Sequence, residues 1–141
     1  VLRVVLDTSV VVAALRSRLG ASNALLRHAA TGVLRSLATP ALFLEYEEVL
    51  TRPEQRAVHG LEIAEVEQFL AALASVIEPV DVHFAWRPQL RDPADEMVFE
   101  AAINGRADAL VTFNSKDFAM AAERFGLDVI RPAELLARMR E

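Results

Sequence analysis

Residues 3–15 read RVVLDTSVVVAAL, and the first five of them, Arg3 to Asp7, decide the fold. A β-branched run with no polar alternation is the pattern of a strand covered on both faces, as parallel strands are. It ends in a charge, so a carboxylate stands where the strand leaves the sheet. Asp7-Thr8-Ser9 then offers side-chain caps to a helix running through Val10 to Arg16. Strand passing directly into helix is the unit of an α/β domain.

The same alternation continues outward. After a break at Arg18–Ala21, Ser22 to Ala30 resumes helix as far as Thr31-Gly32. A short strand over Leu34–Thr39 leads into Thr39-Pro40, an N-cap with proline at the first helical position, and that helix runs to Arg52, where Pro53 stops it. Ile63–Val76 has helical periodicity, Val76–Val82 reads as a third strand interrupted by Pro79, and His83–Arg91 reads as a loop. Pro93–Asn104 is helical and stopped by Gly105, Ala109–Phe113 is a fourth strand, and Ser115–Phe125 is a helix ending at Gly126. Val129-Ile130 forms a short fifth strand before a closing amphipathic helix, Pro132–Arg140. These elements predict an α/β fold, a three-layer α/β/α sandwich with a central, mostly parallel sheet of about four to five strands. Ligands of such sheets bind beyond the carboxyl ends of the strands, where strand order reverses.

Composition sets the outer limits. A chain of 141 residues with 53% hydrophobic content supports one core, hence a single domain over residues 1–141. Mean hydropathy is positive, at +0.26, yet the apolar residues come in short runs rather than a membrane span. The opening apolar run is broken by Asp7 and lacks a cleavage site, unlike a secretory leader, and Val1 in place of methionine implies that the natural start precedes it. With no cysteine there is no disulfide framework and no thiolate site, and a cytoplasmic setting is expected. The net charge of −5 argues against a protein held on nucleic acid by a general basic field. It leaves room for an enzyme whose acids load with cations. His28, His59 and His83 are scattered without metal spacing or a serine partner, and no glycine-rich phosphate loop is present. Trp86 with Arg87 and Arg91 reads more readily as a packed loop than as an RNA clamp.

The acids are the informative residues. Asp7 ends the first strand, Glu45 lies on the helix after the second, Asp92 and Asp95 open the helix after the third, and Asp117 follows the fourth behind Asn114. Helix capping competes for each aspartate. At about 100° per residue, the apolar residues of the Pro93 helix leave a gap at Glu96 and Glu100, which places those two on the solvent face. Asp95 falls instead beside Val98, Phe99 and Ala102, at the lip of the core. Glu45 borders the stripe Leu42, Phe43, Tyr46, Val49 and Leu50, whereas Glu47 and Glu48 point away. Caps account for acids at helix starts; they do not account for an inward-leaning glutamate in mid-helix. A bare carboxylate there is costly unless a cation or hydrogen bonds offset it. Carboxylates gathered without histidine or cysteine select hard ions, Mg²⁺ or Mn²⁺, one or two of them, and such ions activate phosphodiesters toward water. Asp7, Glu45, Asp95 and Asp117 are the candidate metal-ligating and catalytic set.

Three stretches then resemble one family: RVVLDTSVVVAAL, TPALFLEYEEVLTRP and DPADEMVFEAAINGRADALVTFNSKDF, in that order. They resemble the PIN-domain family, and most of all its branch described as toxin components of toxin–antitoxin systems. The resemblance implies an Mg²⁺- or Mn²⁺-dependent endoribonuclease acting on RNA, frequent homodimers, and a cognate antitoxin that buries the acidic pocket. The family's first aspartate falls on Asp7, its helix glutamate on Glu45 and its third acid on Asp95. Thr8 and Ser9 take the small hydroxyl positions that support the site by holding a water. Many members carry aspartate two residues after the strand-four threonine, where this chain has Thr112-Phe113-Asn114. That form reads as a variant in which Asp117 supplies the late acid and Asn114 is a neutral ligand or orienter. Arg16, Arg18 and Lys116 are the expected contacts to substrate phosphates, and Asp92 and Thr112 support the acids. Two rivals stand beside this reading. One is a catalytically degenerate PIN-like module that binds RNA or an antitoxin. The other is a receiver-like phosphorelay domain, for which Glu78-Pro79-Val80-Asp81 supplies no convincing acceptor aspartate.

Overall fold

The computed structural model describes residues 1–83, 90 and 92–140. Trp86, Arg87 and Arg91 lie outside the described residues. Five strands form one sheet: β1 (Leu2–Leu6), β2 (Leu34–Ala38), β3 (Ile77–Pro79), β4 (Ala109–Val111) and β5 (Asp128–Ile130). Their order is β3-β2-β1-β4-β5 and every pairing is parallel, as the strand-helix alternation predicts. The first strand of the chain is therefore the central one. Val4, Val5 and Leu6 are fully buried, which is why the run carries no polar residue on either face.

The helices are α1 (Thr8–Arg16), α2 (Ala21–Ala30), α3 (Pro40–Leu50), α4 (Pro53–His59), α5 (Ile63–Val76), α6 (Pro93–Asn104), α7 (Ser115–Phe125) and α8 (Pro132–Met139). One layer packs α1 and α8 against α2, while α6 lies over β1, β2 and β4 with α7 beside it. Between them sits one continuous core that includes Tyr46, Phe99, Phe118 and Leu110. Among the described residues no helix is long and apolar enough to cross a membrane.

Several expectations are corrected. The Pro40 helix does stop before Pro53, at Leu50, but Pro53 also opens a further helix that was not expected, α4, because its missing N–H costs nothing at a first helical position. β3 is shorter than predicted: Val80 N–H still donates to the Ala38 carbonyl, yet the strand itself stops at Pro79. Glu96 is not on the solvent face. It is 5% exposed, and the Leu90 N–H donates to its carboxylate at 2.6 Å. Helical periodicity sees only one helix, whereas the partner of this side chain, Leu90, comes from outside it. Glu100 is half-buried rather than exposed. β3 also lies at the sheet edge and ends at Pro79, so its one acid is Glu78, tied to Arg3 and Arg35, and no aspartate ends the strand.

The turn from α6 into β4 is tightly filled. A Cβ at Gly105 would meet the Ala101 carbonyl oxygen at 2.9 Å, Val80 Cγ2 at 3.0 Å and Leu37 Cδ1 at 3.1 Å. Two of these are core side chains and one is backbone, so little can yield. Gly105→Ala is expected to destabilise the domain by about 1–3 kcal/mol, through overpacking rather than backbone strain. Urea unfolding checks this; an unchanged midpoint would contradict the packing.

Candidate functional site

The chain builds outward from β1 through β2 to β3, then crosses to β4 on the other side of β1. The carboxyl ends of β1 and β4 thus flank the topological switch point. Asp7 stands there. Its N–H donates to the Val111 carbonyl at 2.9 Å, carrying the ladder one step past the strand, and the residue is 6% exposed.

Asp7 occupies the N-cap position of α1, yet its side chain makes no cap hydrogen bond. The carboxylate is directed elsewhere. Oδ2 accepts from Ser9 Oγ at 2.8 Å and from Thr112 Oγ1 at 2.7 Å. Thr112 is fully buried, and its own oxygen accepts from the Asn114 N–H at 3.0 Å. That bond occupies the acceptor side of the hydroxyl and leaves its hydrogen for Asp7. Both hydroxyls converge on one oxygen, so among the described residues Oδ1 receives no hydrogen bond. The hydroxyl of Thr8, the next residue in the chain, is buried with no partner among the described residues.

The other acids surround this point unequally. Glu45 is half-buried on α3, immediately before Tyr46, whose fully buried hydroxyl donates to the Leu6 carbonyl and so fixes that turn of α3 to the end of β1. Burial raises the Glu45 carboxyl, and so do Glu48, Asp92 and Asp7, with Arg52 opposing. Asp95, in the first turn of α6, is pushed up to about 6 by burial first and then by Asp7, Asp92 and Asp117. Asp92 does cap its helix, accepting from the Ala94 N–H at 2.9 Å. Asp117 is exposed in the first turn of α7, and Asn114, at that helix's N-cap position, makes no side-chain cap bond. Asp7, Glu45, Asp95 and Asp92 thus share one electrostatic field, and Asp117 reaches it through Asp95. Among the described residues, no three histidine, cysteine, aspartate or glutamate side chains form a group spaced to hold an ion. Burial first, and the neighbouring acids second, raise the Glu45 and Asp95 carboxyls.

Of the basic residues, Arg16 donates to Gln55 Oε1 at 2.8 Å and ties α1 to α4, while Arg18 and Lys116 are exposed. The part played by Tyr46 was missed from sequence, where it counted only as a core residue. A buried phenol needs an acceptor, and that requirement was the available signal.

Asp95 gives the metal-free protein a pH dependence. Its folded-state carboxyl titrates near 6 against an ordinary 3.8, so between those values the folded chain holds a proton that the unfolded chain has released. Stability should fall as pH rises through that window and level off above it. Melting temperatures in EDTA from pH 4 to 7 test this, with a flatter profile expected for Asp95→Asn.

The family model for the PIN domain matches residues 3–116. The chain belongs to the PIN-domain family. The match runs from β1 into the start of α7, so it takes in Asp7, Glu45, Asp95, Thr112 and Asn114 and stops one residue before Asp117. Among curated proteins, no match is found. PIN domains are nuclease-type domains that act on nucleic acid and generally use a divalent metal, and this PIN domain has the family's all-parallel sheet.

Proposed function

We propose that this PIN domain is an endoribonuclease dependent on Mg²⁺ or Mn²⁺, of the type that serves as the toxin of a toxin–antitoxin pair. The observation that carries this reading is the Asp7 carboxylate: buried at the switch point, withheld from its own helix cap, and oriented by two hydroxyls. The donors fit a hard ion, being oxygens throughout, with the Thr8 hydroxyl buried and unpartnered among the described residues. Asp7, Glu45, Asp95 and Asp117 would hold one or two ions. Bound there, the metal supplies Lewis-acid activation of the phosphodiester and of water.

The chain's own residues position this chemistry. Ser9 and Thr112 hold Asp7, Tyr46 holds the turn that carries Glu45, and Asp92 caps the helix that carries Asp95. Asn114 supports Thr112 through its backbone and stands where many relatives place an acid. Arg18 and Lys116, both exposed, meet the substrate backbone, with Arg16 joining when released from Gln55. RNA as substrate, a small antitoxin covering the acids, a homodimer and a cytoplasmic setting follow from the resemblance of the three motifs to the toxin branch.

The test is direct. Purified protein should cut a single-stranded RNA oligonucleotide with Mg²⁺ or Mn²⁺, stop in EDTA, and spare DNA of the same sequence. Cleavage that survives EDTA would sink the metal requirement. A short protein encoded beside this one should inhibit it and co-purify; lack of inhibition would remove the toxin assignment. A second reading, a PIN module that binds without turnover, is favoured by Asn114 and by the spacing of the acids among the described residues. Tight RNA binding with no cleavage in Mn²⁺ would select it.

A further inference from the structure

On the far side of β4 from the α6 helix, a cleft of about 510 Å³ opens between the start of α2, the start of α8 and Phe113. It lies at the same end of the sheet as Asp7: Phe113 follows directly on Thr112, and Arg131 follows directly on β5. We propose that this cleft seats one unpaired nucleobase of the RNA strand together with its neighbouring phosphate. The proposal rests on the nuclease reading for its substrate, and it adds the side chains that grip the strand away from the acids.

The walls match the two halves of a nucleotide. Phe113 is 37% exposed, an unusual position for a phenylalanine adjoining a fully buried threonine. The Arg131 guanidinium stands over its ring at 5.9 Å from the centroid. An aromatic face beside a guanidinium plane is the pair on which single-stranded bases stack. Ala13 and Pro132 complete an apolar wall. The other wall suits an anion. Both α2 and α8 begin here, after Gly20 and Arg131, and neither of these residues makes a side-chain cap bond. First-turn N–H groups of α2, and of α8 beyond Pro132, which has none, are therefore left for an outside acceptor.

A second observation singles out this pair of helix starts. Ser22, in the first turn of α2, lines the cleft and is 3% exposed, yet its hydroxyl has no hydrogen-bond partner among the described residues. A buried hydroxyl without a partner is costly, and a phosphate or ribose oxygen in the cleft supplies one. Glu134 also lines the cleft, but its carboxylate is engaged by Arg138 at 3.0 Å on the next turn of α8. The size of the cleft falls in the range of small-ligand sites.

The probe is a fluorescein-labelled, single-stranded RNA of mixed sequence, titrated by anisotropy in EDTA so that no cleavage intervenes. Phe113→Ala should weaken binding about 5- to 100-fold, with Phe113→Trp restoring it. Arg131→Ala should weaken binding and reduce the slope of log affinity against log salt by about one, while Arg131→Lys keeps the slope. Ser22→Ala should weaken binding with no loss of melting temperature, because the hydroxyl has no partner among the described residues. Affinity unchanged in both Phe113→Ala and Arg131→Ala overturns the proposal, and so does a cleft that binds a peptide with the RNA affinity untouched. Metal-dependent cleavage with unchanged affinity in those variants would remove the cleft and leave the nuclease. Phe113-dependent binding without cleavage under any metal would keep the cleft and remove the nuclease.

Discussion

Asp7→Asn should abolish metal-dependent RNA cleavage, by more than about a hundredfold, while the domain stays folded. Loss of an outer partner of a metal ligand already costs about 10- to 100-fold, and loss of the ligand's own charge costs more. The fold survives because the asparagine carbonyl oxygen can still accept from Ser9 and Thr112 at the place of Oδ2. Removing the charge also relieves its neighbours: Asp95 and Glu45 are both raised by Asp7, so each should titrate closer to its ordinary value in the variant. Mn²⁺ should raise the melting temperature of the wild type more than that of Asp7→Asn, since binding to the folded state alone stabilises it. Carbon-detected titration of Asp95 and a melting series with Mn²⁺ measure these effects independently of turnover. Equal metal shifts in the two proteins would remove Asp7 from the ion's ligands.

Thr112→Val is the sharper test of positioning. The two side chains have nearly the same shape, so what leaves is one hydroxyl that donates to Asp7 and accepts from the Asn114 N–H. Cleavage should drop about 10- to 100-fold, as for other partners that orient a ligand. Stability should fall by about 1–3 kcal/mol, because the Asn114 N–H loses its acceptor at a part-buried position. Thr112→Ser keeps both bonds and should recover most of the activity. A purely structural role would lower stability in Thr112→Val without weakening Mn²⁺ binding. The melting series with metal separates the cases.

Much of this arrangement was legible in the residues. A β-branched run ending at Asp7 can be satisfied only between other strands, and β1 is indeed central. The contrast between Glu45 and its neighbours Glu47 and Glu48 follows from helical angle alone, and the observed burial repeats it. What periodicity cannot express is what arrives from elsewhere in the chain. Glu96 was assigned to solvent because its own helix leaves it bare, and the Leu90 N–H, from outside that helix, bonds its carboxylate. Pro53 was read as a stop because the same residue that closes one helix also opens the next. For Asp7, capping and metal binding could not be separated in the sequence, since both place an aspartate after a strand and before a helix. The structure removes the cap, because the carboxylate turns to Ser9 and Thr112 instead.

The central place of the first strand also governs how the protein is made. β1 lies between β2, which pairs at Leu34, and β4, whose pairing with Val4 begins at Ala109. A ribosome therefore releases the middle of the sheet long before one of its two flanks exists, and contacts of such long sequence separation form late. Thr112, the hydroxyl that aims Asp7, lies 105 residues downstream of it. A nascent chain that stops short of β4 lacks both that flank and the Thr112 hydroxyl, and leaves Asp7 with Ser9 alone of its two hydroxyl partners. Synthesis itself therefore delays assembly of this corner of the sheet, which waits on a residue as late as Thr112.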